Sequence, residues 1–409
     1  MKPFSWPLDG VKIVEYAQFV SGPYCGKMLA ELGAEVVKVE PPEGDESRRR
    51  GPFPGDTPHP EKSALFLYLN TDKLGVTLNL DNSAGRKLFL DLLGDADVLI
   101  EDCAPGYLDK LGIGFATLAE RSPKLVMTSI TPFGQSGPYR DYKAYYLNSF
   151  HAGGEGYCLP GGQNWALDAN REPLRVGAFA GEAFSGVVAA LATTFAIMGQ
   201  WAMGVGEHVD VSKQEALLHT LGRVDVTRYP NEGIIESRAT RDSPGHGMLE
   251  CKDGFVAVSL HLGDETWWRR LMDGLGWPEW SRAKVLEAPA YRESHGKEIM
   301  AHMHEWAKET TKSEAYHLLQ SFGVAAGIAE TPKDILDSPQ LKARRYFLES
   351  EHQVAGRLAY AGLPFEFSTR ERKQPAPAPL LGQHNELLFC QHMGYTKEDL
   401  VRLRALNAI

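Results

Sequence analysis

Apolar residues fall in short bursts through the first third of the chain, and most bursts are followed by a stretch of helical spacing. VKIVEY (11–16) and EVVKVE (35–40) have the Val-rich runs of buried strands. Between them Gly22-Pro23 reads as a turn, and Tyr24–Leu32 places apolar residues at helical spacing and stops at Gly33. Strand, helix and strand joined by short turns make a βαβ unit, which predicts a parallel sheet. Gly44–Pro60 is loop-like. VTLNL (76–80), a helix over Ala84–Leu93, ADVLIED (96–102) and KLVMTSI (124–130) continue the alternation. The first 130 residues thus predict an α/β fold, a doubly wound sheet, whose ligands sit beyond the carboxyl ends of the strands. Those ends are Tyr16–Gly22, Glu40–Pro42, Asp102–Gly106 and Thr131–Gly137.

Tyr142–Gly162 is aromatic and glycine-rich and reads as a segment lining a site. The apolar run Val187–Met198 reads as a buried helix. GEHVDVSKQEALLHTL (206–221) predicts a turn, a short strand and a helix, with Ser212 as N-cap and Glu215 closing a capping box. Beyond about residue 225 the texture changes. Arg228–Gly247 is charged and turn-rich, as a linker is. GFVAVSL (254–260), the tryptophans Trp267, Trp268, Trp277 and Trp280, and helical runs from Tyr291 to Leu319 predict a second, smaller α+β unit. Thr331–Tyr346 is helical and charged. The proline-alanine segment 374–380 predicts a stiff strand of chain crossing a surface. The expected division is 1–224, 225–330 and 331–409, with the last part returning to the first domain.

Composition removes several function classes. A net charge of −10, with one dense basic run at Arg48–Arg50, gives no face for nucleic acid. Five widely spaced cysteines without CxxC argue against a disulfide framework and against structural zinc. The histidines are scattered, with neither HxxxH nor HExxH, so no metal is expected. G-x-S-x-G, the Walker loop and G-x-G-x-x-G are all missing, so a serine hydrolase, a P-loop NTPase and a nicotinamide enzyme are not signalled. MKPFSWPLDG lacks the apolar core of a signal peptide. Val187–Met203, the longest apolar stretch, reads as too short to cross a membrane. A cytoplasmic protein with no membrane partner is expected.

One stretch stands out. REPLRVGAFAGEAFSG (171–186) sets Glu182 among Gly177, Gly181 and Gly186 at the start of the long apolar helix. A carboxylate there has its solvation and backbone contacts controlled, as a reactive group needs. A first-turn acid favoured by the helix dipole gives the same local pattern, and local sequence leaves both readings open.

Eight segments together resemble the class III CoA-transferase family. They are 8–48, NTDKLGVTLNL (70–80), ADVLIEDCAPGYLDKLGIG (96–114), SITPFGQSGPY (129–139), VGAFAGEAFSG (176–186), GEHVDVSKQEAL (206–217), YAGLPFEFS (360–368) and APLLGQHN (378–385). The resemblance implies a large Rossmann-like domain built from both chain ends, a smaller middle domain, and an interlocked homodimer. It implies a transferase moving coenzyme A from an acyl-CoA to a small carboxylic acid. The reaction would pass through anhydride and thioester intermediates on the active-site carboxylate. In this chain Glu182 holds that position, where the family usually has Asp. Glycines beside it would let the thioester approach closely.

The resemblance also carries coenzyme A contacts onto Val20, onto Leu78 and Asp81, onto Asp102, Cys103 and Ala104 with Lys110, and onto Lys143 and Tyr145. It suggests an acyl or acceptor pocket of Tyr146, Phe150, His151 and Phe179, whose aromatics favour an apolar or cationic acid over a tiny dianion. Departures are informative. Glu101-Asp102-Cys103 stands where Glu-Asn-Phe is common, and Val20 where Gln is common. The glycine-rich lid of some members has no counterpart at Arg238–Pro244, so oxalate is not the expected acceptor. The alternatives are an acyl-CoA racemase or lyase of the same fold, or a CoA-binding protein with a drifted site. A racemase of this superfamily would need a His in Tyr142–Leu147, which has none; His151 is out of register.

Overall fold

The computed structural model describes residues 6–158, 172–220, 229–234, 245–262, 268–277 and 289–409. Strand β1 (Lys12–Tyr16), helix α1 (Ser21–Glu31) and strand β2 (Glu35–Glu40) form the expected βαβ unit. Gly22 and Pro23 are not a turn before α1 but part of its first turn. A proline is tolerated there because the first helical N–H groups have no acceptor within the helix.

After helix α2 (Ala64–Leu69), strand β3 covers Lys73–Thr77, three residues earlier than VTLNL suggests. The β2 ladder closes with Leu78 N donating to Glu40 O at 2.8 Å, and the chain leaves the sheet there because the next amide, Asn79 N, donates to Ala408 O at 2.9 Å. Helix α3 (Ser83–Leu93), strand β4 (Val98–Glu101), helices α4 (Tyr107–Lys110) and α5 (Phe115–Arg121) and strand β5 (Val126–Thr131) follow. Then come α6 (Tyr146–Ala152), α7 (Glu155–Cys158), α8 (Ala180–Met203), strand β6 (His208–Ser212) and α9 (Lys213–Thr220). The six strands are parallel in the order β3-β2-β1-β4-β5-β6. This is a doubly wound Rossmann-like order, reversing between β1 and β4.

Because side chains alternate across a strand, the two sheet faces feed two cores. Val14, Val37, Leu99 and Met127 pack with Leu88 and Phe89 of α3 and with Leu388, Phe389 and Ile409 near the chain end. Ile13, Val36, Val98 and Val126 pack with Cys25 and Leu29 of α1 and with Ala189, Ala190 and Ile197 of α8. Helix α8 is 24 residues long. By length and composition it is apolar enough to cross a bilayer, which corrects the reading that no stretch reaches that length. It is not buried all round either. Its small residues Gly186, Ala189, Ala190 and Thr193 face the core, while Val187, Leu191, Phe195, Met198 and Trp201 are exposed.

The C-terminal segment seals the outer edge of the sheet. His384 and Gly75 exchange two bonds, Gly75 N donating to His384 Nδ1 and His384 N to Gly75 O, both at 2.9 Å. Asn385 Oδ1 accepts from Thr77 N at 3.0 Å, and Asn385 Nδ2 donates to Thr77 Oγ1 at 2.8 Å. The LGQHN sequence thus supplies partners to an otherwise open strand edge.

The chain divides into two units: Met1–Tyr157 with Arg175–Gly233 and Lys342–Ile409, and Cys158–Leu174 with Ile234–Leu341. The second carries an antiparallel sheet of β7 (His246–Cys251), β8 (Gly254–Ser259) and β9 (Ala325–Ile328). Its core joins Leu249 and Val256 to Trp268, Leu271, Met303 and Leu319. Trp267, Trp280 and Arg238–Pro244 lie outside the described residues. The helical stretch after Thr331 is two short helices, Pro332–Asp337 and Pro339–Ala343, parted before Pro339, where proline disfavours helix in the preceding residue. The first unit adds a hairpin of β10 (Phe347–His352) and β11 (Gly356–Ala361).

Candidate active site

The carboxyl end of β1 is fixed by buried charges. Lys38 pairs with Glu15 at 3.2 Å and with Asp45 at 2.7 Å, and also donates to Ala17 O at 2.9 Å. Lys73 pairs with Glu15 at 2.8 Å. Burial works against the Lys38 ammonium, yet the carboxylates of Asp45, Glu15 and Glu40 hold its pKa above the ordinary lysine range. Burial dominates at Lys73 and brings it down to about 8. Asp45 Oδ1 then accepts from Phe19 N at 3.0 Å, and both Asp102 oxygens accept from Gln18 N at 3.0 Å. The backbone of residues 17–19 is held from three sides. Phe19 is kept at φ 67°, a conformation that costs on the order of 1–3 kcal/mol outside glycine.

A second strained pair opens α8. Ala178 and Phe179 have φ of 56° and 57°, and Phe179 offers no side-chain cap to the helix. The rings of Phe19 and Phe179 meet edge to face at 4.9 Å, and Tyr146 meets Phe179 at 5.0 Å. Beneath this aromatic cluster lies Glu182, 3% exposed, in the first turn of α8. Lys213 Nζ donates to its Oε2 at 2.6 Å, and the Ser21 hydroxyl donates to the same oxygen. Ser21 opens α1 beyond β1, and Lys213 opens α9 beyond β6, so both donors stand at carboxyl ends of parallel strands. Gly186 makes their meeting possible. A Cβ there would lie 2.7 Å from Ser21 O, so only glycine lets α8 come this close to α1.

The other residues read from the sequence fall into distinct places. Val20 is buried as the residue before α1. Leu78 is fully buried in the core and presents no surface to a ligand. Asp81 is exposed and accepts from Tyr107 Oη at 3.0 Å. Asp102 is half-buried, and desolvation of its carboxyl raises the pKa to about 8 against the opposing pull of Lys213. Cys103 donates its N–H to Glu101 Oε2 at 2.7 Å, and burial with the neighbouring carboxylates pushes its thiol up. Ala104, Lys110, Lys143 and Tyr145 are exposed. Phe150 is buried under Gly181, and His151 stacks edge to face on it at 5.8 Å. Ser212 Oγ accepts from Glu215 N at 3.3 Å, as its place before a helix predicts.

Sequence reasoning does not single out Ser21, Lys213 or Phe19. Lys213 carries one available signal, its position directly after the strand-ending VDVS.

Comparison with known proteins gives this geometry a frame. A family model for CoA-transferase family III matches residues 8–385. The chain is 31% identical to the succinyl-CoA:(R)-benzylsuccinate CoA-transferase subunit BbsE of Thauera aromatica, over 95% of each chain. It is 29% identical to a formyl-CoA:oxalate CoA-transferase of Rhodopseudomonas palustris, over 98% of this chain and 97% of that one. A crystal structure of a CAIB/BAIF family protein from Brucella suis superposes with a TM-score of 0.81 at 28% identity, covering 95% of this chain and all of its own. Membership of this family makes coenzyme A a co-substrate. The chain belongs to CoA-transferase family III and is an enzyme of the CoA-transferase class.

Proposed function

We propose that Glu182 is the nucleophile of a CoA transfer between two carboxylic acids. The observation that carries this reading is a buried carboxylate held by Ser21 and Lys213 at the carboxyl ends of the sheet. A Glu182 oxygen attacks the thioester carbonyl carbon, the C–S bond breaks, and the thiolate leaves with the electron pair. The thiolate then attacks the Glu182 carbonyl of the mixed anhydride. The donor acid departs as a carboxylate and Glu182 becomes a CoA thioester. The acceptor carboxylate repeats these steps in reverse order and takes the CoA, so no water or redox partner is consumed. The N–H groups of Gly181 and Glu182 lie in the uncapped first turn of α8, where a developing oxyanion finds donors.

Val20, Asp81, Asp102, Cys103, Ala104, Lys110, Lys143 and Tyr145 form the proposed coenzyme A contacts, with the two lysines as point charges for phosphate, while the buried Leu78 shapes the strand end beneath them. The cluster of Phe19, Tyr146 and Phe179, with Phe150 and His151 behind it, supports an acid with an apolar body. An interlocked homodimer is part of this reading. Its support is the exposed face of α8, where Leu191, Phe195 and Trp201 are 55%, 61% and 58% exposed in a single chain. A cytoplasmic location fits Cys25, Cys103, Cys251 and Cys390, which are free thiols.

The test is to incubate the enzyme with succinyl-CoA, trap with hydroxylamine or borohydride, and weigh the peptide carrying residue 182. A modified Glu182 is expected, and Glu182→Gln should abolish transfer while CoA affinity stays within about threefold, because the lost step is chemical rather than binding. Full activity in that variant would remove Glu182 from the mechanism.

A further inference from the structure

A nucleophilic Glu182 leaves its ion-pair partner, Lys213, without a part in the chemistry so far. Resting on the nucleophile reading, we infer that Lys213 serves twice. It first fixes the Glu182 carboxylate for attack, and then receives the carboxylate of the incoming acid while Glu182 is held as its CoA thioester.

The geometry for the first role is built by the backbone around Lys213. Ser212 caps α9 through Glu215 N, Gln214 N donates to Pro132 O at 3.1 Å, and Gln214 Nε2 donates to Ala152 O at 3.1 Å. The residues on both sides of Lys213 are therefore pinned, and its ammonium reaches one defined point, 2.6 Å from Glu182 Oε2. Ser21 donates to that same oxygen. Among the described residues no donor reaches Oε1, so Oε1 is the oxygen presented to a thioester.

The second role comes from charge. Conversion of Glu182 to its CoA thioester makes it neutral and leaves the Lys213 ammonium, whose side chain is 14% exposed, without its anion. A mostly buried cation that loses its partner is strongly unfavourable. Asp102 also feels Lys213. Desolvation keeps it protonated near neutral pH, so it is a weak replacement. An organic acid arriving as its carboxylate restores the lost pairing, and it arrives beside the Glu182 carbonyl that it must attack. The same cation that orients the nucleophile would thereby recruit the second substrate only when Glu182 carries CoA.

The test uses the full-length enzyme with succinyl-CoA as donor and isotopically labelled succinate as acceptor, so that one acid serves both halves of the reaction. Lys213→Met is expected to slow the single-turnover burst of Glu182–CoA thioester by about 100-fold, the scale of a misplaced reacting group. It should also raise the KM for succinate in the exchange by about tenfold or more, while the Kd for CoA changes by less than about threefold. Lys213→Ala supplied with methylammonium is the second variant, and saturable recovery of the thioester burst is expected. A folded Lys213→Met enzyme with an unchanged burst and unchanged succinate KM would overturn the inference. So would a slowed burst with unchanged KM, which leaves only the first role, or no recovery by the amine in a folded Lys213→Ala enzyme. Failure of the wild-type enzyme to label Glu182 sinks the nucleophile reading itself and is read from the trapped peptide alone.

Discussion

Replacing Gly186 by Ala tests whether the contact between α1 and α8 builds the site. The new Cβ would lie 2.7 Å from Ser21 O and 3.0 Å from Tyr24 Cβ, where ordinary contact begins at 3.4 Å. The helices must therefore part by about 0.7 Å, and overpacking of this kind costs about 1–3 kcal/mol. Alanine's better helix propensity returns up to about 1 kcal/mol, so the expected net loss is about 1 kcal/mol. Gly199 provides the control on the same helix. A Cβ there meets nothing closer than 3.6 Å, so Gly199→Ala gains the propensity term without the clash and should stabilise by nearly 1 kcal/mol. Urea unfolding measures both variants. Single-turnover formation of the Glu182–CoA thioester should fall about tenfold in Gly186→Ala alone, because Ser21 moves away from Glu182. If Gly186→Ala stabilises the protein as Gly199→Ala does, and keeps its activity, the close approach of the two helices has no part in the site.

Three further outcomes are expected. Glu182→Asp withdraws the carboxylate by about 1.5 Å, which stretches the 2.6 Å contact with Lys213 to about 4 Å. Transfer should fall by about 10²-fold, measured as steady-state kcat, and wild-type turnover would show that the pocket is not fitted to Glu. Asp102→Asn should raise the melting temperature, and more so at pH 8 than at pH 5. The folded Asp102 keeps its proton up to about pH 8, whereas the unfolded chain loses it near 3.8, so wild-type stability falls as pH rises across that window. An equal gain at both pH values would refute the assignment. Asp45→Asn leaves the buried Lys38 with Glu15 in direct contact and Glu40 farther off, and should cost about 3–5 kcal/mol in urea unfolding. Burial works to raise the Asp45 carboxyl, but Lys38 outweighs it and keeps the group below its usual range, so this loss should shrink as the pH is lowered through that depressed value.

The parallel sheet was legible because strands buried on both faces must be apolar at consecutive positions, and VKIVEY, EVVKVE and KLVMTSI say so without help from neighbours. The end of β3 was not, since it is set by Ala408, more than three hundred residues away. The same limit hid the nucleophile's partners. Ser21 and Lys213 are 161 and 31 residues from Glu182, and each has an ordinary local explanation, a helix-opening serine and a lysine after a capped turn. In sequence the glycines around Glu182 read as room for a thioester, and the structure divides that role. Nothing lies within 4 Å of a Cβ on Gly177, whereas Gly181 sits on Phe150 and Gly186 on Ser21. Of the three, Gly177 alone leaves open space. The other two bring α8 down onto its neighbours, and it is this packing that sets a hydroxyl and an ammonium on one carboxylate oxygen.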